Sequence, residues 1–317
     1  MIIRYFKRII SKCEDLSKTY NYPLIYFLMD MMQARLFYGC NLDEYIQGKV
    51  FKMKLFERKD FISYKRAEKL MNIFNKPNDS SILADKVQFL KVFAKWVKRD
   101  WLDCRSASKE EIMSFVEKHE RVIAKPIFGM KGEGVCFINC KDATPESLSQ
   151  FSNNNYLIEE CIKQHEAMVF GGQSLNTIRI YTLVNKDGVP KIIKAIQRAG
   201  VGETLVDNFH QGGIIYPIDI ETGIIEQRGV KTDFEKQYMF HPGTNICMLG
   251  YQIPHWEKVK QLVLQAAVIL PQARYVGWDV AVLKDEAELI EGNEAADFKL
   301  ITHIGKPYGY HDFLNAK

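Results

Sequence analysis

The sequence has no CxxC pair, no internal repeat, no low-complexity tract and no apolar run near the ~20 residues a bilayer span needs. Its 7 cysteines (Cys13, Cys40, Cys104, Cys136, Cys140, Cys161 and Cys247) are odd in number and scattered, which excludes a disulfide framework and a zinc knuckle and points to a reducing compartment. Cys136 and Cys140 are close in sequence and read as core filling. Glycine (20) and proline (10) are too sparse for a collagenous or largely disordered chain. The opening MIIRYFKRII has no sustained apolar region and no small-residue cleavage site, so no secretory signal is read and a cytoplasmic protein is expected. The most apolar early run, Pro23 to Met32, is short and contains Asp30.

What is present is 317 residues, 47% of them hydrophobic and 26% charged, enough for two or three compact units. Charge is uneven. Residues 1–100 carry 20 Lys+Arg against 11 Asp+Glu, a net of +9, and the remaining 217 carry a net of −5. A basic first third is suited to an anionic membrane or an acidic partner, and equally to a solvated lysine-rich surface.

From Ile2 to about Lys76 the apolar spacing is helical, with Leu24, Phe27, Leu28, Met31 and Met32 forming one stripe. Further helices are expected near Phe61 to Phe74 and over Leu83 to Trp96. After about Glu120 strands dominate: Arg121 to Pro126, Gly134 to Asn139, Tyr156 to Glu160, Thr177 to Val184, Pro190 to Arg198, Gly213 to Ile220, Ile224 to Gln227, Gly277 to Leu283 and Glu288 to Glu291. One long helix, Trp256 to Leu270, stops at Pro271. Hairpins outnumber strand–helix–strand units, so the class is α+β.

Four constellations carry chemistry. In Ala124-Lys125-Pro126 through Gly134-Val135, a strand ends on a lysine and a loop with Gly129, Lys131, Gly132 and Gly134 returns into a strand. Such glycines admit a phosphate to the backbone N–H groups, with a lysine as point charge. The loop is neither a Walker A nor a Rossmann fingerprint, because no helix follows, and alone it reads more simply as a hairpin. In Trp278-Asp279-Val280 and Glu291-Gly292-Asn293, Glu291 and Asn293 share one strand face, and Asp279 joins them if the intervening turn has an odd count. Three hard oxygen donors there suit Mg²⁺, the alternative being a solvated polar hairpin. Glu159, Glu160, Cys161, Ile162 and Glu166 form an apolar strand end with acids, suited to a purine edge and ribose hydroxyls. Arg179 and Arg198 start and end neighbouring strands and can face each other toward an anion, or Arg179 can serve a structural ion pair.

Taken in order, these segments resemble the ATP-grasp superfamily, in particular its branch associated with sugar transfer and surface-polysaccharide gene clusters, from about Asn78 to Asn293. The resemblance implies an ATP-grasp fold, two α+β subdomains clasping ATP, after a helical start. The implied division is a helical region 1–77, a subdomain 78–165 with the glycine loop, and a subdomain 166–317 with the metal site. It also implies ATP and Mg²⁺ as cofactors. Lys86 and Lys125 match the phosphate-contacting lysines, and Gly129, Lys131, Gly132 and Gly134 the mobile loop. Glu159, Glu160, Cys161 and Ile162 match the adenine hinge, and Glu166 the ribose acid. Asn176 and Arg179 match the NTxR strand, Arg198 the catalytic-region arginine, and Asn208 with His210 the DNFHxGG segment. Asp279, Glu291 and Asn293 match the magnesium ligands.

The implied activity is carboxylate–amine ligation through an acyl phosphate. The expected substrates are a small carboxylate and an amine, such as a sugar acid and an amino acid or amino sugar of a capsule or O-antigen precursor. No nucleic acid is expected as a partner. The basic third would touch a membrane or a glycosyltransferase. A kinase on the same scaffold, or a non-catalytic nucleotide-binding partner of a glycosyltransferase, are the alternatives. Many relatives begin with a Rossmann-like domain, whereas this chain begins with helices.

Overall fold

The computed structural model describes residues 2–75, 81–129, 133–170, 174–202, 212–231, 236–303, 305 and 308–317. It divides into two units: Met1–Phe74 with Asp297–Lys317, and Asn75–Ala296.

The first unit is helical, with helices Ile2–Tyr20, Leu24–Tyr38, Leu42–Gln47, Leu55–Asp60, Tyr64–Phe74, Phe298–His303 and Tyr310–Asn315. Its core gathers Cys13, Leu16, Phe27, Met31, Ala34, Leu42, Tyr45 and Phe61. Asp30, the one acid in the apolar run, is half-buried against the buried Arg58, which meets it at 2.5 and 3.1 Å, while the Tyr45 hydroxyl donates to it at 2.6 Å. A carboxylate is tolerated there because its oxygens are satisfied. Of the predicted stripe, Phe27 and Met31 are buried, but Met32 is 58% exposed, a correction: the buried face instead turns to Ala34 and Tyr38. The last helix returns to this unit, its Phe313 ring 5.9 Å from that of Phe74.

The second unit holds two antiparallel sheets. Its strands are β1 (Trp101–Asp103), β2 (Arg121–Pro126), β3 (Cys136–Asn139), β4 (Tyr156–Glu160), β5 (Ile178–Val184), β6 (Pro190–Ala199), β7 (Ile214–Ile218), β8 (Gly229–Val230), β9 (Gln237–Tyr238), β10 (Tyr275–Val282) and β11 (Ala287–Asn293). The smaller sheet runs β1-β4-β2-β3 and the larger β11-β10-β5-β6-β7-β8-β9. Helix Lys109–Lys118, opened by a Ser108–Glu111 capping box, buries Ile112 and Val116 in the small sheet's core. Helix Trp256–Ala267 lays Trp256, Val259, Leu262, Val263, Ala266 and Ala267 into the large sheet's core. It stops three residues before the expected Leu270, since the residue ahead of Pro271 disfavours helical geometry.

Two further expectations are corrected. The helix expected over Leu83 to Trp96 is broken into Ser81–Ala84, Lys86–Val92 and a 3-10 turn Ala94–Trp96. The break is a cap: the Asp85 carboxylate accepts from the Val87 and Gln88 N–H groups at 2.9 and 3.0 Å and restarts the helix at Lys86. Ile224 to Gln227 is not a strand; Ile224 and Ile225 make only isolated bridges to Gln252 and Ile218. All seven cysteines are free thiols.

Lys194 on β6 is 4% exposed, and burial pushes its ammonium down to about 8, against the pull of Glu226. Below that value folding must bury a charge. Between it and the ordinary lysine value the unfolded chain binds the extra proton, so this group makes stability rise with pH. Lys194→Met is expected to flatten the stability–pH slope between about pH 8 and 10, measured by urea denaturation. Parallel slopes for the two proteins would refute the assignment.

Candidate functional site

In the larger sheet, Arg179, Asp279 and Glu291 stand side by side across β5, β10 and β11, because Asp279 is in register with both Arg179 and Glu291. A register shift just after Asp279 separates this row from the rest of the hairpin. Arg198, on β6, reaches the same face. Asp279 is 3% exposed and accepts from Arg179 through both its oxygens, at Nε and, at 2.9 Å, at Nη2, and from Arg198 Nη1 at 2.7 Å. Burial alone would push this carboxyl up; the two guanidiniums outweigh it and hold it well below the usual carboxylate range. Gly277, two residues before Asp279, makes room for the arginine. A Cβ there would lie 2.7 Å from the Ala296 Cβ and 3.3 Å from the Arg179 Cδ.

Glu291 is in hydrogen-bond contact with Asp279, and burial and then the Asp279 charge raise its carboxyl. Two touching carboxyl groups hold together through a shared proton, or through a cation in its place. Asn293, next on the Glu291 face, donates through Nδ2 to Glu291 Oε1 at 3.2 Å. Two carboxylates and an amide that meet at one point are hard donors of the kind a Mg²⁺ ion takes, so the set fits that ion. Since Arg179 and Arg198 already occupy Asp279, an ion would draw chiefly on Glu291 and Asn293 and one Asp279 oxygen.

The lysines come from the small sheet and from the helix Lys86–Val92. Lys125 ends β2, and its ammonium pairs with Glu159 on β4, its diagonal neighbour across the strand pair. Lys86 opens its helix at the Asp85 cap, and its ammonium donates to the Ile127 and Gly129 carbonyl oxygens at 3.3 and 3.1 Å, tying it to the start of the glycine loop. Burial lowers the Lys86 ammonium, Glu291 opposes this and Lys125 adds to it. Lys86, Lys125 and Glu291 therefore share one electrostatic neighbourhood although they come from different elements. Gly129 has φ +137° with open space around it. Gly134 has φ +72°, and a Cβ there would lie 2.8 Å from the Pro126 Cγ, so only glycine closes the loop. Lys131 and Gly132 lie outside the described residues, as do Asn208 and His210.

The segment after β4 crosses from one sheet to the other: Gln164 bridges Leu283, and the His165 N–H donates to the Val282 carbonyl at 2.8 Å. Cys161 and Ile162 are half-buried along it, and burial pushes the Cys161 thiol up to about 11. Glu166 is exposed at the start of a 3-10 turn. Glu160 faces away from Glu159 and accepts from the Asp100 N–H at 3.2 Å. Asn176 is a stitch rather than a rim residue. Its amide donates to the Met168 carbonyl at 2.9 Å and accepts from the Gly200 N–H at 2.9 Å.

The residue that sequence reasoning missed is Arg99. It is 6% exposed, lies against Glu159 at 2.9 Å, pairs with Glu288, and donates to the Leu289 and Ile290 carbonyls at 2.9 and 3.2 Å. One guanidinium thus joins β4 of the small sheet to β11 of the large one. Burial would raise the Glu159 carboxyl, but Arg99 and Lys125 outweigh it and lower it. No local signal marks Arg99, whose partners lie 60 and 189 residues away. Arg99→Met leaves two buried carboxylates short of a cation, and urea denaturation is expected to show a loss of about 3–5 kcal/mol. A loss below about 1 kcal/mol, the scale of an exposed pair, would contradict the buried network.

The profile of the sugar-transfer associated ATP-grasp family matches residues 65–306. No curated protein matches the sequence. Among solved structures, the chain is similar to the ATP-grasp ligase PsnB complexed with its minimal precursor, at 17% identity and TM-score 0.45, over 71% of this chain and 57% of that one. It is similar to a carboxyaminoimidazole ribonucleotide synthase from Aspergillus clavatus complexed with ATP (12%, TM-score 0.48, 75% and 52%). A third is the D-alanine-D-alanine ligase from Coxiella burnetii (10%, TM-score 0.45, 79% and 63%). The chain spans a little over half the length of these proteins, and likeness at this level says nothing of activity. The match of the family profile over most of the sequence, on an α+β fold with a helical start, places this chain in the sugar-transfer associated ATP-grasp family.

Proposed function

We propose that this protein is an ATP-dependent carboxylate–amine ligase that makes an amide through an acyl phosphate. The observation that carries the reading is the meeting of four cations, Lys86, Lys125, Arg179 and Arg198, with the touching Asp279–Glu291 pair. Membership of an ATP-grasp family supports the same reading. A cationic cluster around two carboxylates suits a polyphosphate bridged by a divalent ion, and catalysis of phosphoryl transfer is chiefly positioning and charge stabilisation.

In this reading ATP is a substrate. Lys86 and Lys125 hold its inner phosphates, and the loop with Gly129, Lys131, Gly132 and Gly134 covers them. The backbone from Glu159 and Glu160 through Cys161 and Ile162 takes the adenine edge, and Glu166 the ribose. Asp279, Glu291 and Asn293 would hold Mg²⁺, which neutralises phosphate charge when bound. The substrate carboxylate attacks the γ-phosphorus and ADP departs. An amine nitrogen then attacks the acyl carbon and inorganic phosphate leaves. Arg198 and Arg179, anchored on Asp279, face the developing negative charge, and Asn208 is assigned to the same catalytic group. His210 takes the amine proton. The substrates this reading favours are a sugar acid with an amino acid or amino sugar of a surface polysaccharide, supported by the sugar-transfer association of the family.

The test is phosphate release across pairs of uronic acids and amino acids. Ligation predicts ADP and orthophosphate in equal amounts only when both acid and amine are supplied. Lys125→Ala and Glu291→Gln should each lower kcat/KM roughly 100- to 1,000-fold. A phosphorylated product formed without any amine would mean a kinase and would overturn the ligase reading.

A further inference from the structure

Helix Leu24–Tyr38 is apolar on both sides. Phe27, Met31, Ala34 and Tyr38 face the core, while Ile25, Met29, Met32 and Leu36, spaced four, three and four apart, form a second stripe 58–74% exposed to solvent. Phe37 adds to it at 71%. The outer face carries only Gln33 and Arg35 as polar residues. A helix apolar all round ordinarily has apolar material on both sides, and a soluble monomer seldom leaves so continuous a stripe bare.

Charge indicates what lies on the other side. The helical unit carries 17 Lys+Arg against 10 Asp+Glu, a net of +7, while the rest of the chain is net −3. At the C-terminal end of the stripe, Leu36 and Phe37 run into a groove of 540 Å³ whose walls carry Arg35, Lys65, Arg66 and Lys69 against the single carboxylate of Glu68. Arg66 is a fixed wall: it donates to the Lys59 and Phe61 carbonyls at 2.8 and 2.7 Å and lies over the Tyr38 and Tyr310 rings. Lys65 and Lys69 are exposed. An apolar stripe that ends in a cationic groove matches a molecule with a hydrocarbon part joined to an anionic head.

We propose that this face docks peripherally on an anionic lipid bilayer, with Ile25, Met29, Met32 and Leu36 at the headgroup–acyl boundary and the Lys65–Lys69 groove against lipid phosphates. Insertion across the bilayer is excluded for this helix: 15 residues span about 22 Å, short of the ~30 Å hydrocarbon core. A second copy of the chain is the poorer occupant, since it would set a +7 unit against another +7 unit. The inference is independent of the ligase reading, because it concerns the other unit.

The experiment is co-sedimentation of the full chain with phosphatidylglycerol-containing vesicles and with pure phosphatidylcholine vesicles. Binding is expected to the anionic vesicles only and to weaken with salt. Met29→Glu with Met32→Glu should abolish it while circular dichroism and ATP turnover stay unchanged. Lys65→Glu with Lys69→Glu should weaken it by roughly 25-fold or more, each lost cation counting for roughly fivefold. Equal binding to both vesicle types, unaltered binding of either double variant, or a dimer in solution that ignores vesicles and is split by Met29→Glu with Met32→Glu would each overturn the proposal.

Discussion

The guanidinium of Arg99 is the constraint on which the larger unit turns. It is buried between Glu159 and Glu288, and its remaining N–H groups reach the β11 backbone, so the small sheet and the large sheet are joined by charge as well as by apolar packing. Buried ions tolerate little displacement, because each departure exposes an unpaired charge to a low-dielectric interior. Through Glu159 the network continues to Lys125 at the mouth of the glycine loop. Through β11 it reaches the strand that carries Glu291 and Asn293. The geometry of Lys125 and of the oxygen donors is therefore set by a residue that belongs to neither group.

A second buried set, Asp279 with Arg179 and Arg198, follows the same logic with a different result. Here one carboxylate faces two guanidiniums, and Arg179 also acts on Glu291. Across one sheet face, simple antiparallel register sets one guanidinium beside two carboxyl groups: Arg179, Asp279 and Glu291 are lateral neighbours. The helical unit keeps its buried charge to the Asp30–Arg58 pair and places its excess positive charge at the surface, beside exposed apolar groups. The two units thus use charge in opposite ways, one chiefly in buried networks and one chiefly at the surface.

Much of the strand content was readable. Arg121–Pro126 and Tyr156–Glu160 fall where apolar runs end in polar residues. Helix Lys109–Lys118 went unread although Ser108 and Glu111 form a capping box, because its apolar residues are few and its first turn is charged. The helix expected over Leu83 to Trp96 is broken for a local reason: the Asp85 carboxylate caps a new start at Lys86. The Met32 error has another origin. When both faces of a helix are apolar, periodicity names a stripe but does not say which stripe meets the core.

The sequence by itself determined the kinds of chemistry available, since residue types carry their donors wherever they fold: lysine beside a glycine loop, a carboxylate and an amide two residues apart with a second carboxylate on the strand before, two arginines on adjoining strands. It determined as well that Glu291 and Asn293 share a face, because strand alternation is a property of the backbone, while the register that sets Asp279 beside Glu291 came with the folded hairpin. Only the tertiary structure decided that Asp279 is already held by Arg179 and Arg198, that Glu159 is locked to Lys125 and Arg99, and that Met29 and Met32 look outward. Those outcomes depend on which distant segments pack together, and charge pairing across 60 to 189 residues leaves no trace in local pattern.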